Sequence, residues 1–400
     1  MSKAFFGLPE QVIFCKACVI SNQRPSSTVE FKHVSGEAKA TISFGEDGIC
    51  DACRYNQLKQ RSISWQEREE ELLRVLDQYR RTDGRYDVIV PGSGGKDSAF
   101  TAHILKYKYG MNPLTVTWAP HKYTEIGWKN FENWIHVGGL DNILFTPNGK
   151  LHRYLTRLAF LNLLHPFQPF IVGQRIIGPA MARRFGVQLV MYGENQAEYG
   201  NRVDENFKPT MDRKFFSAAD PRSLILGGVT IDDILREGTF KIADFAPYIP
   251  PSIEDLDQGG VDVHYLGYYL KWDPQECYYY AVENTGFQAN SERTEGTYSK
   301  YSSIDDRIDM FHYYTTLIKF GIGRATYDAA QEIRNEKITR DEGVVLVRKF
   351  DQEFPRKYFD EFIKYVGIAE SEFFSTVDKF RSPHLWDRVE GEWRLKHQVS

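Results

Sequence analysis

The spacing of apolar residues changes three times along the chain. Residues 1–60 show little helical periodicity, and Asn22–Asp47, rich in Ser, Thr and Gly, predicts short strands and turns. From Trp65 to Arg80, Leu72, Leu73, Val75 and Leu76 supply the apolar face of a charged amphipathic helix. An alternation follows. The short apolar runs Tyr86–Val90, Leu114–Trp118, Asn142–Thr146 and Val187–Tyr192 predict strands, and Ser98–Tyr107, Trp128–Val137 and Leu151–Leu164 between them predict helices. Such alternation predicts an α/β fold, a parallel sheet with helices on both faces, binding ligands at the carboxyl ends of its strands. The pattern loosens over 201–265, which contains Ile249-Pro-Pro-Ser and reads as an insertion or lid. Helices are predicted at Ile304–Phe320, Arg324–Asn335 and Pro355–Val366. The expected organisation is an N-terminal segment (1–60), an α/β domain (61–200), the insertion (201–265) and a mainly helical substrate region (266–400).

Composition narrows the function classes. At 400 residues, 42% apolar and 26% charged, the chain reads as globular and too long for one ordinary core. No run approaches the roughly 20 apolar residues of a membrane span. The net charge of -4 gives no global pull toward nucleic acid or anionic membrane, so neither is expected as a partner. The N-terminus, Met1-Ser-Lys-Ala-Phe-Phe-Gly-Leu-Pro, lacks a signal-peptide apolar core, which sets the expectation of a cytoplasmic location.

The strongest chemical signal is Val88-Ile-Val-Pro-Gly-Ser-Gly-Gly-Lys-Asp-Ser-Ala: a strand, a glycine-rich turn and a helix start, in that order. Gly94 and Gly95 let the backbone approach an anion, and the helix N-terminus then presents amide N–H groups to it. Ser93 and Ser98 can add hydroxyl donors, Lys96 a mobile positive charge, and Asp97 can hold Mg²⁺ against phosphate oxygens. A Walker-type loop needs Ser or Thr where Asp97 stands, and a dinucleotide fingerprint needs Gly there. The remaining pattern, Ser93-Gly-Gly-Lys-Asp-Ser98, resembles the PP-loop of ATP pyrophosphatases. The resemblance implies an adenine nucleotide alpha hydrolase-like domain that splits ATP between its α and β phosphates and transfers AMP to a substrate oxygen.

Four of the five cysteines form two C-x-x-C pairs, Cys15/Cys18 and Cys50/Cys53. Two such turns can hold one Zn²⁺ through four thiolates, closing its coordination shell as in a structural zinc ribbon. An iron–sulfur cluster and redox dithiols are the competing readings.

Beyond the loop, the chain resembles the N-acetyl sugar amidotransferase family of PP-loop enzymes of bacterial surface-polysaccharide and flagellar-glycan biosynthesis. The resemblance is carried by Val190-Met-Tyr-Gly-Glu-Asn-Gln-Ala-Glu-Tyr-Gly-Asn201, by Gly296-Thr-Tyr-Ser-Lys-Tyr-Ser-Ser-Ile-Asp-Asp306, by Ile318-Lys-Phe-Gly-Ile-Gly-Arg-Ala-Thr-Tyr-Asp-Ala-Ala330, and by the paired cysteines. It implies that ATP and ammonia convert an acetamido group of a sugar to an acetamidino group, with a nucleotide-linked diacetamido uronic acid or a nonulosonic acid as substrate. It also implies a separate glutaminase and a cyclase-like ammonia-channel subunit.

Further site candidates follow from position. Glu194 and Asn195 lie just past the fourth strand, where they can orient sugar or metal; a solvated helix cap is the other reading of Glu194. Lys300, Lys319 and Arg324 can bind phosphate or a sugar carboxylate, or form ordinary ion pairs with Asp305, Asp306 or Asp328. Trp118 ends the second strand, where it can stack on adenine or simply fill the core. Cys277, in Gln-Glu-Cys-Tyr-Tyr-Tyr, has no nucleophile-elbow context, so no built-in glutaminase is expected. Two other functions fit parts of the pattern: a tRNA-thiolating PP-loop enzyme, which needs a basic surface and active-site cysteine chemistry, and an inactive zinc-ribbon scaffold, which has no use for Lys96 and Asp97.

Overall fold

The computed structural model describes residues 4–26, 30–33, 36–199, 207–218 and 220–400. Gly200 and Asn201 of the first resemblance segment, and the start of the expected insertion, lie outside them.

Helices α1 (Asp51–Arg61) and α2 (Trp65–Tyr79) lead into the alternating region. Ser64 caps α2 by accepting from the Glu67 amide, and the helix buries Leu72 and Leu76. There follow β1 (Val88–Pro91), α3 (Lys96–Tyr107), β2 (Pro113–Trp118), α4 (Glu125–His136), β3 (Asp141–Phe145), α5 (Gly149–Leu163), α6 (Gln168–Phe185) and β4 (Leu189–Tyr192). A two-residue-per-strand hairpin, β5 (Ile225–Leu226) and β6 (Val229–Thr230), precedes the short helices α7 (Ile231–Arg236) and α8 (Ile253–Gly259). Then come β7 (Asp262–Tyr265), α9 (Leu266–Tyr269) and α10 (Pro274–Thr285).

Five strands form one parallel sheet in the order β3-β2-β1-β4-β7. The period of two sorts their side chains. Val88, Val90, Leu189 and Met191 enter one apolar cluster with α3, α4 and α10, whereas Ile89, Leu114, Val116 and Val190 enter the other with α5 and α6. The strand order reverses between β1 and β4, which opens the crevice where such sheets bind ligands.

Two core elements escape the sequence pattern. Strand β7 is a four-residue run at the end of the expected insertion, and its pairing with β4 makes it a strand. Helix α6 carries Gly173, Gly178 and Pro179, residues that ordinarily break helices. Packing explains the glycines: a Cβ at Gly173 would stand 2.3 Å from the Trp118 ring, and one at Gly178 2.7 Å from Pro91.

The C-terminal region is helical as expected, with α11 (Asp309–Phe320), α12 (Arg324–Arg334), α13 (Arg340–Phe350), α14 (Phe359–Val366) and α15 (Glu370–Lys379). It ends on a hairpin the pattern did not announce, β8 (Trp386–Val389) and β9 (Glu392–Leu395). The two-residue turn puts Glu390 and Gly391 at φ 52° and 87°, the left-handed region a tight hairpin demands.

Helix α11 starts five residues later than its periodicity suggests, because residues 304–307 are used elsewhere. They lie against the β2–α4 loop. The Thr124 amide donates to the Asp305 carbonyl (3.1 Å) and the Arg307 amide to the Lys122 carbonyl (2.9 Å). Asp306 accepts from the amides of His121 (2.7 Å), Lys122 (3.2 Å) and Ile308 (2.9 Å). The approach is so close that a Cβ at Gly127 would stand 2.4 Å from Asp305 Cα. Gly127→Ala should therefore destabilise the fold by about 1–3 kcal/mol through overpacking, although alanine favours a helix by up to about 1 kcal/mol. A denaturation midpoint at or above wild type would show that this contact is not needed.

Candidate active site

The site is built on the turn between β1 and α3. Gly94 has φ 82°, and a Cβ there would stand 2.8 Å from Phe131 Cα of α4, so conformation and space both require glycine. Gly95 is the N-cap of α3, and Lys96 and Asp97 open the helix, where the first amides have no intrahelical acceptor.

Lys96 Nζ lies 2.5 Å from Asp97 Oδ2. Burial works to lower the Lys96 pKa, but the carboxylates of Asp97 and Glu194 prevail and hold it above its ordinary value. Asp97 Oδ1 is buried and has no hydrogen-bond partner among the described residues. An orphaned carboxylate oxygen beside a phosphate loop suits a divalent cation, so the residues present fit Mg²⁺ at Asp97. The Ser98 hydroxyl is already committed to the Gly95 carbonyl (3.0 Å). The Ser93 hydroxyl donates to Asp305 Oδ2 (2.9 Å).

Two cavities meet at the loop. The smaller, about 160 Å³, is walled by Ser93, Gly94, Gly95, Asn130 and Asp305. The larger, about 490 Å³, lies between the α/β core, the N-terminal segment and helices α11 and α12. Lys96, Asp97, Tyr301, Ser302 and Arg324 line both.

The expected site residues separate on this geometry. Glu194 lines the larger cavity. Asn195 lines neither; it is 1% exposed, and its side chain accepts from the Ala197 amide (2.8 Å), shaping the turn after β4. Arg324, the first residue of α12, pairs with Asp328 (3.0 Å) and stacks over Tyr313 at the junction of the cavities. Lys319 lines the larger cavity, bonded to the Leu163 carbonyl (2.6 Å) and Glu30. Burial brings its pKa down to about 8, against the pull of Glu30.

Two expectations are corrected. Lys300 is exposed and donates to the Ser291 carbonyl (3.0 Å), away from both cavities. Trp118 is 2% exposed and packs against Phe145, Tyr248 and Gly173, so its core reading holds and its adenine-stacking role does not. The aromatic ring at the junction is Tyr301, stacked on Tyr278 with centroids 4.3 Å apart.

Other residues at the site were not singled out by sequence. Asp305 lines the smaller cavity, and burial followed by repulsion from Asp306 pushes its pKa up. Arg24, Arg175, Arg334, His165 and His312 line the larger cavity. Of these only His312 carries a sequence signal, the recurrence of His312, Tyr313, Thr316, Lys319 and Phe320 on one face of α11. Cys277 is buried, near enough to Asp97 and Lys96 to feel their charges, and burial pushes its thiol well up. Such burial disfavours the thiolate that a nucleophile requires.

The four paired cysteines converge. Their sulfurs all lie within 4.8 Å of one another, and Cys15–Cys53 and Cys18–Cys50 are 3.9 and 3.8 Å apart. Four sulfurs about 2.3 Å from a tetrahedral ion would be about 3.8 Å apart, whereas a disulfide needs about 2.05 Å. The Ala17 and Cys50 amides donate to Cys15 Sγ (3.4 Å each), and Arg340 donates to the carbonyls of Cys18 and Cys15. Among the described residues, the strands expected over Asn22–Asp47 appear as the isolated bridges Pro25 with Thr41 and Phe44 with Cys50, and a third bridge, Phe14 with Ser21, brackets the first pair.

Residues 295–400 match the family model described as LPS biosynthesis protein WbpG-like, C-terminal domain. The C-terminal quarter is WbpG-like. The segments Gly296–Asp306 and Ile318–Ala330, which carry the family resemblance in the sequence, fall inside the match. The WbpG-like region thus supplies Arg324, Lys319, Tyr301 and Asp305 to the two cavities. No curated protein matches the sequence. Among solved structures, the NMN synthetase from Francisella tularensis is similar at 13% identity, covering 72% of this chain and 97% of that one, with a TM-score of 0.27. The NAD+ synthetase from Burkholderia pseudomallei is similar at 14% identity over 58% and 95%, with a TM-score of 0.25. The NH3-dependent NAD synthetase from Campylobacter jejuni is similar at 15% identity over 32% of this chain, with a TM-score of 0.26, and the match spans 56% of that synthetase's length. Likeness at these scores carries nothing about activity. No helix among the described residues is long and apolar enough to cross a membrane.

Two measurements test the site. Metal analysis should find about one ion per chain, lost in Cys50→Ser with a lower thermal midpoint; a metal-free wild type of unchanged stability would reject the four-thiolate site. Asp309 provides the second. Burial, outweighing the nearby Arg324, raises its carboxyl to about 7. The folded state thus holds its proton more tightly than the unfolded state does, so this contribution is full below pH 4 and is lost as pH rises to about 7. Wild type should lose stability relative to Asp309→Asn across that window, by at most about 4 kcal/mol at 1.36 kcal/mol per pH unit. A difference independent of pH would contradict it.

Proposed function

We propose that this protein is an ATP-dependent sugar amidotransferase, forming AMP and pyrophosphate, of LPS, O-antigen or flagellin-glycan biosynthesis. The observation that carries the reading is the junction of the cavities: the phosphate-loop residues Lys96 and Asp97 and the WbpG-like residues Tyr301, Ser302 and Arg324 line both. Triphosphate and sugar can therefore meet at one wall.

The chemistry fits that layout. An amide carbonyl is a poor electrophile, and its oxygen a poor leaving group. Attack of the acetamido oxygen on the α-phosphorus of ATP expels pyrophosphate and leaves an O-adenylylated imidate. Ammonia adds to its carbon, and AMP leaves to give the acetamidino group. Lys96 and the first amides of α3 stabilise the charge of departing pyrophosphate. Asp97 would hold Mg²⁺, which supplies charge neutralisation. Glu194, with Asp97, favours the charged form of Lys96 against burial. Arg324 and Lys319 face the sugar side of the cavity, where an anionic substrate group would find them.

In this reading the four cysteines bind a structural Zn²⁺, the protein works in the cytoplasm, and ammonia comes from a separate glutaminase through a cyclase-like channel subunit. The buried, protonated Cys277 supports an external ammonia source. It also speaks against tRNA thiolation, which needs a reactive cysteine at the site.

The test is the mass of nucleotide-linked diacetamido uronic acid incubated with ATP, Mg²⁺ and ammonium, since replacing O by NH lowers it by about one dalton. Lys96→Ala and Asp97→Ala should each cut product and AMP by on the order of 10²-fold or more while the protein stays folded. AMP-forming turnover near wild type in either variant would remove the loop from the reaction.

A further inference from the structure

The larger cavity holds a pair of imidazoles that the reaction as described does not use. The rings of His165, in the turn after α5, and His312, on α11, stack with centroids 5.0 Å apart and planes 22° apart. Phe167 also stacks on His312, with centroids 5.2 Å apart. Both histidines line the cavity shared with Lys96 and Arg324, and His312 Nδ1 is buried with no hydrogen-bond partner among the described residues.

Resting on the amidotransferase reading, we infer that the His312 imidazole, stacked on His165, is the base that takes the proton from ammonia as it adds to the activated carbon. The step balances. Ammonia donates its electron pair to the imidate carbon, and as the C–N bond forms the C=N π pair moves onto the acetamido nitrogen, leaving a positive charge on the new nitrogen. One proton passes from that nitrogen to the imidazole. The C–O bond to the adenylyl group then breaks, AMP leaves with the electron pair, and the lone pair of the new nitrogen forms the C=N bond of the amidine.

The other cavity groups suit this role less well. Asp97 is paired with Lys96, Asp328 with Arg324, Asp273 with Lys337, and Glu30 with Lys39 and Lys319; Glu332 accepts from the Tyr298 hydroxyl (2.7 Å), and Glu194 acts on the charge of Lys96. The histidines are held in the acceptor form. For His312, burial acts first, followed by His165, Arg324 and His121, and its pKa lies well below the ordinary value. For His165, burial, Lys319, Lys39 and Arg175 outweigh Glu30 and bring it down to about 4. A nucleotide and an anionic sugar add negative charge to the same cavity, which raises imidazole basicity when the proton must be taken.

The experiment uses the full chain with nucleotide-linked diacetamido uronic acid, ATP, Mg²⁺ and ammonium. It compares amidine formed with ATP–pyrophosphate exchange, which reports adenylylation alone. His312→Gln should lower the ratio of amidine to exchange by on the order of 10²-fold. His312→Gly should recover amidine formation with added imidazole, in proportion to the imidazole's unprotonated fraction as pH varies. An unchanged ratio in His312→Gln, or loss of exchange together with amidine, would overturn the base assignment while leaving the reaction standing. Absence of exchange in the wild-type protein would instead overturn the amidotransferase reading, and this inference with it.

Discussion

The close approach of residues 304–307 to the β2–α4 loop is the constraint on which the site depends. A sheet edge by itself offers a phosphate loop and little to hold a second substrate. Here Asp306 gathers three backbone amides, and Asp305 reaches the loop serine Ser93. The contact works only because Gly127 presents no side chain to Asp305. It places the start of α11 over the carboxyl ends of the strands, and α11 and α12 then wall the larger cavity. Without that clamp, the phosphate loop and the WbpG-like helices would be separate surfaces.

The N-terminal segment closes the third side, and buried polar contacts hold it there. Lys59 of α1, fully buried, lies 2.9 Å from Glu198 and donates to Asn335 Oδ1 (3.2 Å) and to the Trp272 carbonyl. A buried ion pair is weak evidence of net stability, but removing one partner leaves an uncompensated charge. It therefore specifies how α1, the turn after β4 and the end of α12 meet. The cysteine cluster reinforces the arrangement, sharing an apolar core with Ile322, Ala329 and Ala330. Arg334, whose pKa the Cys18, Cys53 and Cys50 sulfurs raise against burial, lines the cavity on the other side. The four-cysteine cluster and the larger cavity are thus joined through α12.

Charge inside the cavity is finely divided. Lys39, Lys96, Lys319 and Arg324 each face a carboxylate within ion-pair distance. An unpaired buried charge would be costly, and these pairs stabilise the polar groups that line the cavity. Burial likewise lowers the pKa of His165 and His312.

The sequence by itself determined whatever is written locally. The phosphate loop was legible because strand, glycines, Lys96 and Asp97 are contiguous and their order is the structure. Four strands and the amphipathic helices were legible from periodicity, and the two cysteine turns from their spacing. Tertiary structure decided the rest. Strand β7 is too short to declare itself and exists through its pairing with β4, and α6 keeps Gly173 and Gly178 because Trp118 and Pro91 pack against them. Trp118 at a strand end looks the same in sequence whether it faces a ligand or α6. Lys300 and Lys319 are equally basic in the chain, yet one reaches a surface carbonyl and the other a buried cavity. Asp305, His165 and His312 become site residues only when segments more than a hundred residues apart meet, because burial and neighbouring charge, which set their chemistry, are properties of the folded chain.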